Sequence, residues 1–168
     1  MAKTISIELS TKDIKRAQEE IRAYQIALNR KVETFIDKLA KVGLSVAQAV
    51  LSGVQDEDLK EWDISLTSNK EGEISKAEIM LKGGDVLFIE FGTGIRYAQP
   101  QNPLAGKMGY GSGTYPGQTH VPNPGYWYYK DGNQEKHKSY GNRAYMPMYH
   151  ASEALALELS RIAKEVFE

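Results

Sequence analysis

Cysteine is absent from this chain of 168 residues. Disulfides, thiolate nucleophiles and most zinc sites are excluded together, and the absence fits synthesis in a reducing cytosol. Long apolar runs are absent too. None approaches the roughly twenty residues needed to span a bilayer, and the opening from Met1 to Leu9 lacks the apolar segment of a secretory signal. A soluble chain with no membrane partner is expected. Charge of one sign is not in excess: the net charge of −1 gives no general attraction to polyanions, so no specific nucleic-acid partner is expected.

Recognisable chemistry is also sparse. His120, His137 and His150 show no HxH, HxxxH or HExxH spacing. Gly109 to Gly117 resembles a phosphate loop only loosely. Thr114 stands where GxGxxG needs glycine, and Gly106-Lys107-Met108 breaks the Walker pattern. Ser112 lacks the first glycine of a nucleophile elbow, because Tyr110 is there. No catalytic residue, metal site or cofactor is expected. A hydrolase using Glu90 with a loop histidine is the weakest of the functions that follow.

What the chain does contain is a patterned α+β domain. Apolar content of 41% and charged content of 26% are globular values, and the length fits one domain, 1–168. Thr4 to Leu9 alternates like a short strand. Ser10, with Asp13 three residues on, marks a helix start. From Ile14 to Val50 apolar residues recur in threes and fours, a single amphipathic stripe spanning about 55 Å if unbroken. Gly43 is the expected point for a kink or break, and Gly53 the terminator. Trp62–Ser68 and Glu73–Lys82 read as a hairpin around Asn69-Lys70-Glu71-Gly72. Pro147 opens a final helix with Met148, Ala151, Leu155, Leu159, Ile162 and Val166 on one face, broadened by Ala154, Leu157, Ala163 and Phe167. The expected architecture is a long N-terminal and a C-terminal helix packed on a small, mainly antiparallel sheet.

Between them lies a segment of different character. All six prolines and nine of the ten tyrosines fall between Tyr97 and Tyr149, which excludes a long helix there. A long loop over 97–146 is expected, most mobile over Lys107–Thr119. It carries a hairpin with strands Gly125–Tyr129 and Lys136–Tyr140. Tyr110, Tyr115, Tyr126, Trp127, Tyr128 and Tyr129 are the candidate interface residues, since Tyr and Trp dominate protein contacts. With no basic stripe nearby, protein contact is preferred. The alternative is a binding module whose Tyr126–Tyr129 face takes glycan or single-stranded nucleic acid.

The stretch Gly83 to Gly94 joins the regular half of the chain to this loop. Val86 to Phe91 reads either as a buried strand or as a short helix between Asp85 and Gly92, and the two caps favour the helix. Glu90 stands alone among apolar residues, and burying it demands partners. It either faces solvent, caps a neighbouring backbone or pairs across an interface, with Arg96 a candidate. The expectation is that it anchors the start of the long loop or a neighbouring subunit.

Phe88-Ile89-Glu90-Phe91-Gly92-Thr93-Gly94 resembles the hydrophobic-Glu-Phe-Gly-Thr core of the phage tail-component family of minor virion proteins. Ala144-Tyr145-Met146-Pro147-Met148-Tyr149-His150-Ala151 is similar to that family's closing segment, although an Arg-Pro-Phe type run is commoner there. The order of elements extends the resemblance over nearly the whole chain, with Glu90, Phe91, Gly92, Thr93, Gly94 and Pro147 as its motif and anchor residues. The resemblance implies a non-enzymatic role in tail completion or head–tail joining of long-tailed phages and prophages. It implies a homo-oligomeric ring touching other neck or tail proteins, made in the bacterial cytoplasm and located in the virion.

Overall fold

The computed structural model describes residues 8, 10–55, 59–72, 74–92, 102–108, 126–130 and 133–168. The fold is α+β. Its elements are α1 (Thr11–Ser52), β1 (Asp63–Glu71), β2 (Ile74–Lys82), α2 (Val86–Phe91), β3 (Trp127–Lys130), β4 (Lys136–Ser139) and α3 (Pro147–Phe167). Among the described residues the strands form two separate antiparallel hairpins, β1–β2 and β3–β4. The strand expected over Thr4–Leu9 and the segment expected to be most mobile lie largely outside the described residues.

Helix α1 starts where its cap dictates. Ser10 has extended backbone, and its hydroxyl accepts a hydrogen bond from the Asp13 amide at 3.2 Å. It ends at Gly53, whose φ of −87° is right-handed, so this terminator does not use glycine's left-handed freedom. At 42 residues and ~1.5 Å each the helix is about 63 Å long.

No break occurs at Gly43. The helix runs through it, and the missing side chain serves packing instead. A Cβ there would meet Ile79 Cδ1 at 2.7 Å and Leu155 Cδ2 at 3.2 Å, so β2 and α3 both close on α1 at this point. Both obstacles are side-chain ends able to shift. Alanine also gains about 1 kcal/mol of helix propensity over glycine. Gly43→Ala is therefore expected to change stability by less than about 1 kcal/mol in urea denaturation, whereas a larger residue finds no room.

The C-terminal half of α1 builds the core. Leu39, Ala40, Ala47 and Leu51 are buried, with α3 lying along α1 and the β1–β2 hairpin against it. Leu51, Leu59 and Ile89 form the centre, and Trp62, Ile64, Leu81 and Phe88 pack around them. Burying a side chain such as Ile89 contributes about 1.5–3 kcal/mol. The hairpin is longer and tighter than its sequence suggests: register runs from Asp63↔Lys82 to Glu71↔Ile74, turning at Gly72 with φ 62°. Its tip reaches α1 through a Lys70–Glu33 ion pair.

Helix α3 buries Ala151 and Ile162 and sets the Phe167 ring against Phe35, tilted by 58° with centroids 5.7 Å apart. Leu157 and Leu159, expected on its apolar stripe, are exposed. The narrow ridge of α1 covers only one side of α3.

Candidate functional site

Two groups of residues stand out. The first is the junction between α2 and α3. Helix α2 has only six residues, so most of its backbone groups lack intrahelical partners. Asp85 occupies its N-cap position without a capping hydrogen bond; instead its carboxylate accepts from the Glu61 amide at 2.8 Å. At the other end, Phe88 O accepts from Gly92 N at 2.8 Å and from Asn142 Nδ2 at 2.7 Å. Ile89 O accepts from Tyr145 N at 2.8 Å. The segment before α3 thus completes the end of α2.

Glu90 does the reverse, completing the start of α3. It is buried, at 8% exposure. One carboxylate oxygen, Oε2, accepts from Met148 N at 2.9 Å. The other, Oε1, accepts from Tyr149 N at 3.0 Å and from Asn102 Nδ2 at 2.8 Å. Pro147 brings no N–H, and His150 N already bonds Met146 O at 3.0 Å. Every donor of the first turn of α3 is accounted for, and the carboxylate lies where a helix end favours negative charge. The usual local cap is missing: Met146 is left-handed, with φ 60° and ψ 43°, and makes no side-chain cap. Glu90 is a cap supplied from a distant part of the sequence. Burial pushes its carboxyl above the ordinary range, against the pull of these three hydrogen bonds and of His150.

Gly92 closes the junction. Its φ of 70° and ψ of 171° combine positive φ with extended ψ, a region other residues avoid. Its expected role as a C-terminal glycine is met, but with extended rather than left-handed ψ. The space is filled by backbone, since a Cβ would stand 2.6 Å from Ala144 N.

Of the expected motif residues, Glu90, Phe91, Gly92 and Pro147 are described, and all lie at this junction. Thr93, Gly94 and the candidate partner Arg96 lie outside the described residues. Glu90's anchoring role toward the long loop holds within the chain, through Asn102. Its partners are uncharged amides, and capping the backbone of α3 is its larger contact. Asn102 and Asn142, both buried, were not anticipated. Their only sequence signal is that of polar side chains able to bond backbone groups. For Glu90's role, two signals were available: a lone carboxylate in an apolar run, and a helix-opening proline preceded by no capping residue.

The second group is the β3–β4 hairpin. Register pairs Tyr128 with Lys138 and Lys130 with Lys136. Alternation puts Tyr126, Tyr128 and Lys130 on one face of β3 and the Lys136–Lys138–Tyr140 series on the same face of the ribbon. The contacts agree. Tyr126 meets Tyr128 edge-on at 5.8 Å and Tyr140 at 6.1 Å. Lys138 Nζ lies over Tyr126 at 3.9 Å and over Tyr140 at 4.9 Å, and Lys136 Nζ over Tyr128 at 4.3 Å. The Lys138 ammonium is held above its ordinary pKa, chiefly by a hydrogen bond with Tyr140.

This corrects the expectation that no basic stripe lies near the tyrosines. The three lysines are scattered over nine positions in the sequence and meet only through strand pairing. Of the expected interface residues, Tyr126 and Tyr128 are on this face. Trp127 and Tyr129 are described as β3 backbone only, while Tyr110 and Tyr115 lie outside the described residues.

Among the described residues no group of three His, Cys, Asp or Glu could hold a metal ion, and no helix is long and apolar enough to cross a membrane. No family profile, curated protein or solved structure matches the chain.

Proposed function

We propose that the chain is a structural minor virion protein of a tailed phage or prophage, acting without catalysis in tail completion or head–tail joining. It self-associates as a ring and touches neighbouring neck or tail proteins. The motif resemblance supports the location. The observation that carries self-association is the row of large apolar side chains exposed on the N-terminal half of α1. The stripe that packs against α3 and the hairpin over the C-terminal half continues through Ile14, Ala17, Ile21, Tyr24 and Leu28; Ala17 is buried, while the four larger side chains are exposed. Ile21 is 54% and Tyr24 56% exposed. An amphipathic face of this length is a packing seam, and large exposed apolar patches mark interaction sites. Repetition of one such contact around an axis closes a ring.

Native mass spectrometry and electron microscopy test this directly. The wild type is expected to form closed rings at high concentration or on tail tubes. Ile21→Glu with Leu28→Glu is expected to give monomers of unchanged helicity, because those residues lie outside the core. A wild type that stays monomeric and ignores tail tubes would overturn the proposal.

A further inference from the structure

We propose that the exposed face of the β3–β4 ribbon binds single-stranded nucleic acid without sequence preference. Lys130, Lys136 and Lys138 take the phosphates, and Tyr128 and Tyr140 stack the bases. This function is separate from the assembly role of α1.

The composition of this face singles it out. Its six positions are three tyrosines and three lysines, with no carboxylate among them. In a chain of net charge −1 this is a local concentration of positive charge on a ribbon two strands wide. The lysines are exposed, Tyr128 and Tyr140 are 51% and 46% exposed, and the ammoniums of Lys136 and Lys138 rest on ring faces. Cation–π contacts at exposed sites are weak, so a phosphate draws the ammonium away and frees the ring face beneath it. One movement thus presents a cation to the backbone and a ring to the base.

Other ligands use only part of this surface. A neutral glycan has no use for three cations. An acidic peptide has no flat group for the rings. Duplex DNA keeps its bases stacked within the helix. A single strand offers both charge and an open π-face, and cationic grooves lined with aromatic rings are the general solution for binding it.

Fluorescence anisotropy with a labelled 20-mer of oligothymidylate and the full-length protein tests the proposal. Binding is expected at low salt, with log K falling against log salt with a slope of about −2, from roughly 0.7 per phosphate contact over three lysines. K130Q/K136Q/K138Q is expected to weaken binding at least about tenfold and flatten that slope. The corresponding triple arginine variant is expected to keep both. Tyr128→Ala and Tyr140→Ala are each expected to cost about fivefold or more while leaving the slope unchanged. Far-ultraviolet circular dichroism confirms the fold of each variant. Absence of binding at low salt, equal binding by the glutamine variant, or equal competition by polyglutamate or by duplex of the same length would each overturn the proposal.

Discussion

Replacing Gly92 by alanine is expected to cost roughly 3 kcal/mol or more of stability. The backbone there, at φ 70° and ψ 171°, costs a non-glycine residue about 1–3 kcal/mol by itself. The new Cβ then meets main chain rather than a flexible side chain. It would be 2.6 Å from Ala144 N and 2.9 Å from both Arg143 C and Asn142 O. That segment has little freedom to retreat, because Asn142 and Tyr145 are hydrogen-bonded to Phe88 O and Ile89 O. Set against a total of about 5–15 kcal/mol for a domain, the loss is large. It corresponds to a fall of about 6–12 °C in Tm at this chain length. Gly106 is the control: a Cβ there meets nothing within 4 Å. If the two alanine variants melt within 2 °C of each other, the packing account of Gly92 fails.

The second large effect is expected at Glu90. Glu90→Ala leaves Met148 N, Tyr149 N and Asn102 Nδ2 without their acceptor, and unpaired buried donors cost about 1–3 kcal/mol each. Allowing for entry of water, the variant is expected to lose roughly 3–5 kcal/mol in urea denaturation. Glu90→Gln keeps the shape and one acceptor oxygen but turns an amide NH2 toward a donor, and is expected to lose about 2 kcal/mol.

The pH dependence has a definite sign. Burial holds the native carboxyl above its ordinary value of 4.5, so the native state binds this proton more tightly than the unfolded chain does. The associated stability is fully present below 4.5 and is lost as pH rises through the raised native value. Wild type is therefore expected to gain on Glu90→Gln as pH falls from neutrality toward 4.5. The carbon-13 titration of the Glu90 carboxyl should have its midpoint above that of an ordinary glutamate. A wild-type advantage that shrank on acidification would mean that the three hydrogen bonds outweigh burial.

The sequence carried the long elements openly. The stripe from Ile14 to Val50, the Ser10 cap and Pro147 at a helix start are local signals, and each marks what it should. Gly43 shows the limit of such signals. A glycine within a helix implies either a weak point or a close contact, and only the position of Ile79 and Leu155 decides between them. Val86–Phe91 is ambiguous for a similar reason, since five apolar residues around one carboxylate satisfy both periods. It forms a helix because Asn142 and Tyr145 satisfy its carbonyls from more than fifty positions away. The Tyr/Lys face was hidden because residues on two strands share a surface only once register is known. Leu157 and Leu159 looked like core because a hydrophobic stripe records what can be buried, not how much neighbouring surface there is to bury it.

The bonds from Glu90 to α3 join residues 58 and 59 positions apart. Such a closure has two kinetic and evolutionary consequences. It forms late, because the entropy of a long loop must be lost before the contact gives anything back. It is also nearly indifferent to what the loop contains. Closure entropy grows only with the logarithm of length, so doubling the enclosed segment costs about 0.6 kcal/mol. The chain between Asn102 and Asn142 can therefore be lengthened, shortened or exchanged while α2 and α3 remain clasped. The clasp is a fixed frame around a replaceable insert.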